Sequence, residues 1–206
     1  MLKIWGRLNS TNVKKVVWVA RELNLPFEHT NAGGAFGLVN EPDYRALNPN
    51  GLVPCVEHDG LVLWESNAVV RYLAARYGAG TLWPEDPAIR AIGDKWMDWT
   101  STSFAGPFRD VFWNLVRLAP EQRDMGAVEK GIATCADLLA RVDAALAHQP
   151  YLSGDAFAMG DIPLGCFAYG WFELSFARPP MPHLEAWYER LKDRPAYCEA
   201  VMTPLT

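Results

Sequence analysis

The chain has 206 residues, a formal net charge of −5 and a hydrophobic fraction of 50%, which allows one large domain or two small ones. Nucleic-acid binding needs clustered Lys and Arg, and this acidic chain has no basic run. No apolar stretch reaches the length of a bilayer span, and no signal peptide is evident. The four cysteines and four histidines show no metal-ligand spacing. We therefore expect a cytoplasmic protein with no metal, no membrane association and no nucleic-acid partner.

Residues 1–78 alternate strand-like and helix-like segments. In chain order they predict a strand in LKIWG, a helix in NVKKVVWVARELN, a strand in FEHTNA, a short helix in EPDYRALN, strands in PCVEHD and LVLWE, and a helix in SNAVVRYLAARYG. Asp59-Gly60 is a hairpin dipeptide between the last two strands. The order βαβ-α-ββα predicts a small α/β domain of the thioredoxin-like type, in which the first two strands are parallel.

Residues 79–87 contain one glycine and two prolines and predict a linker. From residue 88 to residue 206 strand signals almost disappear, and long helical patterns predict an all-helical second domain. The aromatic stretch 88–118 is one such pattern, and we expect Gly106-Pro107 to bend or interrupt it. A second long helix is predicted between residues 121 and 149, and three shorter helices follow.

Three local motifs accompany this α/β plus all-α architecture. They are NPNGLVPCVEHDGLVLWESNAVVRYLAARYG, YLSGDAFAMGDIPLG and GRLNSTNVKKV. Together with the domain order, which covers essentially the whole chain, they resemble the cytosolic glutathione S-transferase superfamily, with a bacterial, theta-like character. The resemblance implies glutathione as co-substrate, a homodimer, and an all-helical domain that contributes the pocket for a hydrophobic electrophile.

The resemblance also implies residues that bind glutathione. Pro54 follows a cis peptide, and the main chain of Val53 pairs with the cysteinyl part of glutathione like an added strand. The alternative is an ordinary trans proline at the start of a strand. Glu65 and Ser66 begin a helix and would hold the γ-glutamyl end, through a carboxylate for the ammonium and N–H and O–H donors for the carboxylate. The alternative for Ser66 is an N-cap without a binding role.

The thiol of glutathione needs donors that stabilise its thiolate. Ser10 and Asn12 precede the first long helix, and the resemblance favours Ser10, followed closely by Asn12. The alternative is a polar loop that only caps the helix. Because this loop contains neither cysteine nor tyrosine, we expect attack on an electrophile rather than thiol exchange, and Cys55 is interpreted as a core residue.

The electrophile pocket is expected between the two domains. Its predicted lining residues are Phe108, Arg109, Phe112 and Trp113. Aromatic residues at helical spacing are more often core, which remains the alternative for each. Arg109 is a candidate contact for an anionic group or, alternatively, a surface ion pair.

Two positions depart from the family pattern. Leu52 stands where relatives often have a basic or amide side chain, so that contact to glutathione is missing or comes from Arg45 or Asn48. Ala158 replaces a capping Ser or Thr, leaving Asp161 to reach a backbone N–H. The sequence therefore predicts a glutathione transferase. The alternatives are glutathione-dependent isomerisation, dehalogenation or peroxide reduction, or a non-catalytic interaction module of the same fold.

Overall fold

The computed structural model describes all residues from Met1 to Thr206. Its first half contains every element predicted for residues 1–78. These are β1 (Leu2–Trp5), α1 (Thr11–Glu22), β2 (Phe27–Thr30), α2 (Pro42–Leu47), β3 (Cys55–His58), β4 (Leu61–Trp64) and α3 (Ser66–Tyr77). The hairpin between β3 and β4 turns at Asp59 and Gly60, both of which have positive φ.

The four strands form one mixed sheet in the order β2-β1-β3-β4. β1 is parallel to β2, with Leu2 opposite Phe27, and antiparallel to β3, with Leu2 also opposite His58. β4 completes the antiparallel hairpin. This topology confirms the predicted thioredoxin-like domain. It also places the loop after β1 and the segment before β3 at the same end of the sheet, because Trp5 pairs with Cys55.

The rest of the chain is helical, as predicted. It contains α4 (Pro87–Trp99), α5 (Ala105–Phe112), α6 (Met125–Leu146), α7 (Ile162–Glu173), α8 (Pro182–Lys192) and α9 (Pro195–Ala200). None of these helices combines the length and the apolarity needed to cross a bilayer.

The long aromatic stretch is interrupted earlier than predicted. The chain runs helically through Gly106 and Pro107, and the irregular parts are the π-helical segments Trp113–Arg117 and, just before Gly106-Pro107, Thr100–Phe104. There the Ala105 N–H donates to the carbonyl of Thr100, five residues back. Proline lacks an N–H and crowds the carbonyl four residues before it, so the preceding turn is where the hydrogen-bond pattern has to change.

Helix α1 lies between the two halves and is buried along most of its length. Val13, Val16 and Val19 are fully buried, and so is Trp18. The Trp18 ring packs edge-on against Tyr197 of α9, with centroids 4.7 Å apart. One hydrophobic core therefore includes residues of both halves. The loop that precedes α1 is held at their boundary.

Asp161 is fully buried at the start of α7 and confirms the prediction for this capping site. Its carboxylate accepts hydrogen bonds from the N–H groups of Leu152 and Ala158 and from the Trp187 indole, at 2.7, 3.2 and 2.8 Å. Ala158 has no side-chain oxygen, so only the aspartate half of the capping box exists. Burial raises the pKa of Asp161, and the hydrogen bonds from these donors partly oppose that rise.

Candidate active site

A cleft of about 400 Å³ opens between the start of α1 with its preceding loop and α5 with the segments that flank it. Six of the residues predicted from the sequence line it, together with others from the same segments. The lining residues are Arg7, Asn9, Ser10, Thr11, Asn12, Ser101, Ala105, Gly106, Phe108, Arg109, Phe112, Trp113, Arg117 and Phe167. The residues predicted to stabilise the thiolate and those predicted to line the electrophile pocket thus line the same cleft.

Ser10 and Asn12 are both free to donate into this cleft. Ser10 occupies the N-cap position of α1, but its side chain makes no capping hydrogen bond. The alternative interpretation of Ser10 as a capping side chain is therefore wrong. The Asn12 Oδ1 atom accepts from the Ser66 hydroxyl at 3.2 Å, which leaves the Asn12 NH2 group as the donor. Both donors lie at the positive end of a 12-residue helix, where an anion is stabilised.

Ser66 is the first residue of α3, and Glu65 is its N-cap residue. The interpretation of Ser66 as a simple N-cap is thus wrong, because its hydroxyl bonds to Asn12 of another element. Glu65 is exposed and has a φ of 69°, a left-handed conformation uncommon for a residue with a side chain. Its carboxylate has no hydrogen-bond or ion-pair partner in the protein, so it can receive an ammonium group.

The main chain of Val53 offers an unpaired edge. The Val53-Pro54 peptide is cis, as the resemblance implied, and Pro54 is buried immediately before β3. Neither the N–H nor the C=O of Val53 has a hydrogen-bond partner within the protein. A half-buried residue with both groups free is able to pair with an extended peptide.

Lys15 connects α1 with the start of α3, and the sequence did not indicate this role. Its side chain is almost fully buried, with the Nζ atom 3.5 Å from Ser66 Oγ and 3.4 Å from Asn67 Oδ1. The Asn67 amide in turn donates to Ser101 Oγ at 3.1 Å, on the far wall of the cleft. Burial lowers the pKa of Lys15 from its ordinary 10.5 to about 8, against the opposing influence of Cys166 and Glu65. In the sequence, Lys15 lies among valines of an amphipathic pattern, which gave no sign of its burial.

The aromatic candidates divide into core and surface residues. Phe108 is almost fully buried and stacks on Phe104, with centroids 5.6 Å apart, so it serves the core as well as the cleft. Trp113 is 48% exposed, which is unusual for tryptophan and leaves its ring available to a ligand. Phe112 is half-buried between them.

Arginines form the charged part of the cleft. Arg109 is 72% exposed, and its Nε lies 3.9 Å from Asp110, so it is at most a weak surface pair. Arg7 and Arg117 also line the cleft and were not predicted. They are separated by more than a hundred residues, so no local pattern could have joined them.

Arg45 and Asn48, the alternatives for the basic contact absent at Leu52, are both hydrogen-bonded close to their own positions in the chain. Leu52 is 64% exposed. Arg45 donates to the Pro49 carbonyl at 2.8 Å and to Asn40 Oδ1 at 3.0 Å, and the Asn48 amide donates to the Leu52 carbonyl at 2.8 Å. Both candidates are used to shape the loop.

Cys55 lies in the core, as predicted, and burial raises the pKa of its thiol to about 11. All four cysteines are unpaired. No three side chains of the His, Cys, Asp and Glu types converge in a metal-binding arrangement.

Comparison with known proteins decides the family. The model of the glutathione S-transferase N-terminal domain matches residues 9–76, and that of the glutathione S-transferase C-terminal domain matches residues 125–190. The chain is 46% identical to glutathione S-transferase GstB of Escherichia coli strain K12, with both chains fully covered. The chain belongs to the glutathione S-transferase family.

Other relatives agree with this assignment. Glutathione S-transferase 3 of Zea mays is 35% identical over 97% of this chain and 93% of that protein. Among solved structures, the theta class glutathione S-transferase of Xanthomonas axonopodis pv. citri with glutathione bound is 56% identical. It superposes with a TM-score of 0.97 over 100% of this chain and 99% of the other. The predicted family and the predicted fold of this glutathione S-transferase are thus confirmed.

Proposed function

We propose that this glutathione S-transferase binds reduced glutathione and transfers it, as the thiolate, to an electrophilic carbon. The observation that carries the proposal is the pair of unpartnered donors, the Ser10 hydroxyl and the Asn12 amide, in a cleft with aromatic walls. Glutathione is the ligand present in the structure of the 56% identical Xanthomonas protein, and the free groups described above match its chemistry.

In the proposed binding mode, each part of the tripeptide meets a complementary group. The cysteinyl N–H and C=O pair with the main chain of Val53 beside Pro54. The γ-glutamyl ammonium lies against Glu65, and its carboxylate lies against Ser66 and the free N–H groups at the start of α3. The buried ammonium of Lys15, next to Ser66, adds a positive charge near that carboxylate.

The chemical step follows from the position of the thiol at the start of α1. Hydrogen bonds from Ser10 or Asn12 and the positive end of the helix lower the thiol pKa, so the proton leaves to solvent. The thiolate then forms a C–S bond with an electrophile in the cleft as the leaving group departs with its electron pair. Phe112 and Trp113 offer apolar contact that orients the electrophile.

The assay is titration with reduced glutathione, followed by tryptophan fluorescence and calorimetry, with conjugation measured in parallel. Glu65→Ala should remove saturable binding, whereas Glu129→Ala, an exposed residue of α6, should not change it. Ser10→Ala and Asn12→Ala should keep binding and raise the thiol pKa of bound glutathione, read from thiolate absorbance. The larger rise identifies the main donor. Absence of saturable binding in the wild type would refute the proposal.

We further propose a metal-free homodimer in the cytoplasm, with residues 1–78 holding glutathione, 79–87 as linker, and 88–206 completing the electrophile pocket. Exposed apolar side chains of β4, α3 and α4 support the dimer. They are Leu61, Trp64, Tyr77, Ile89 and Ile92. Light scattering of the wild type and of Trp64→Glu tests this: a monomeric wild type would refute it.

A further inference from the structure

The electrophile cleft carries positive charge, and no acidic residue lines it. Its 14 lining residues include the arginines Arg7, Arg109 and Arg117 but no aspartate or glutamate. A cluster of this kind is unfavourable in the free protein, because like charges repel and partial burial removes water from the guanidinium groups of Arg7 and Arg117.

Two of these arginines lack partners inside the protein. The Nε atom of Arg117 is buried and has no hydrogen-bond partner, and the guanidinium lies over the Phe112 ring, 5.8 Å from its centroid. The Arg7 side chain makes no hydrogen bond or ion pair, and its stem packs against Gly34. A Cβ atom built at Gly34 would lie 3.2 Å from Arg7 Cδ. Buried donors in proteins nearly always have a partner, so the Nε atom of Arg117 needs explanation.

Arg7 and Arg117 also act on each other. Burial lowers the pKa of both, and the charge of Arg7 lowers that of Arg117 further. They come from opposite walls of the cleft, since Arg7 precedes α1 and Arg117 follows α5. An anion between them would remove the repulsion and supply acceptors for their N–H groups. Guanidinium forks match carboxylates particularly well.

We propose that the electrophile of this glutathione S-transferase is an anion, an apolar or aromatic molecule whose carboxylate is bound between Arg7 and Arg117. This deepens and rests on the proposed function, since it names the substrate class of the same cleft. The aromatic ring lies against Phe112 and Trp113, and the carboxylate lies against the arginines. The purely hydrophobic electrophile expected from the sequence is thereby replaced by an amphipathic one.

A matched pair of electrophiles tests the inference. 4-(Chloromethyl)benzoate and 4-(chloromethyl)benzamide share the reacting carbon and differ in charge. With either one, the thiolate sulfur forms a bond to the benzylic carbon, the C–Cl bond breaks, and chloride leaves with the electron pair. We expect the wild-type kcat/KM for the benzoate to exceed that for the benzamide by about tenfold or more, as for a hydrogen bond to a charged group.

Three variants assign the effect to residues. Arg7→Gln and Arg117→Gln should each reduce the benzoate preference by about fivefold or more while changing the benzamide kcat/KM less than about twofold. Arg141→Gln, which removes the same charge from an exposed position on α6, should leave the preference unchanged. Calorimetry of the glutathione-saturated protein with 4-methylbenzoate and 4-methylbenzamide provides the same comparison without chemistry.

The outcomes separate this inference from the proposed function. Conjugation of both compounds without charge preference would overturn the anion site and leave the transferase proposal standing. Loss of glutathione affinity in Arg7→Gln or Arg117→Gln would assign the arginines to a carboxylate of glutathione, and would also overturn it. A benzoate preference that disappears with either arginine, at unchanged glutathione affinity, supports the inference.

Discussion

Replacing Lys15 with methionine should make the free protein more stable at neutral pH. Lys15 has a folded-state pKa of about 8, compared with the ordinary 10.5, because its ammonium is buried. At roughly 1.4 kcal/mol per pKa unit, keeping this lysine charged in the fold costs about 3 kcal/mol at pH 7. Methionine has similar length, no charge, and fits beside the Phe167 ring, over which the ammonium lies at 5.5 Å.

The sign of the pH dependence follows from the direction of the shift. Between pH 8 and 10.5 the unfolded chain binds more protons at this site than the folded chain, so the wild-type free energy of unfolding rises with pH. The advantage of Lys15→Met should therefore fall from about 3 kcal/mol at pH 7 to about 2 kcal/mol at pH 9, and approach zero by about pH 10.5. The same substitution should weaken glutathione binding, because an anion beside Ser66 loses its neighbouring charge.

Urea unfolding of the ligand-free proteins at several pH values measures the first effect, and calorimetric titration with glutathione measures the second. Lys130→Met is the control, since it removes the same charge from an exposed position on α6. If Lys15→Met destabilises the protein at pH 7, or if its advantage does not shrink with pH, the hydrogen bonds to Ser66 and Asn67 outweigh the burial of the charge and the reasoning is wrong.

Two further predictions concern packing within the helical part, residues 88–206, and can be checked by urea unfolding. Asp161→Asn should cost about 3 kcal/mol, because an amide cannot accept from all the N–H groups that converge on the carboxylate; a loss below about 1 kcal/mol would contradict this. Gly160→Ala should cost at least about 2 kcal/mol, since the new Cβ atom would lie 2.4 Å from Gly93 Cα. Gly106→Ala meets nothing within 4 Å in α5 and should instead gain about 0.5–1 kcal/mol. Equal effects at the two glycines would refute the packing argument.

The sequence determined the elements of this protein and the family of its fold. Alternation of strand and helix patterns, the Asp59-Gly60 turn and the caps at helix ends are local signals, and each element of residues 1–78 is present in the structure. The position of Ser10 directly before α1, and of Glu65 and Ser66 at the start of α3, followed from the same local reasoning, whereas Asn12, expected before the helix, is the second residue of α1. The interruption of the aromatic stretch was expected at Gly106-Pro107 but lies in the preceding turn, because Pro107 acts on the hydrogen bonds of that turn.

The tertiary structure alone decided which side chains meet. Lys15 stands among valines in the sequence but not on the face that Val13, Val16 and Val17 form, and only the packing of α1 against α3 and α7 brings its ammonium to Ser66 and Asn67. Arg7 and Arg117 come together because β1 and α5 end at the same cleft. No local sequence pattern indicates that these two charges lack an acidic partner. Burial and charge pairing depend on contacts between distant segments, and those properties give the cleft its preference for anions in our proposal.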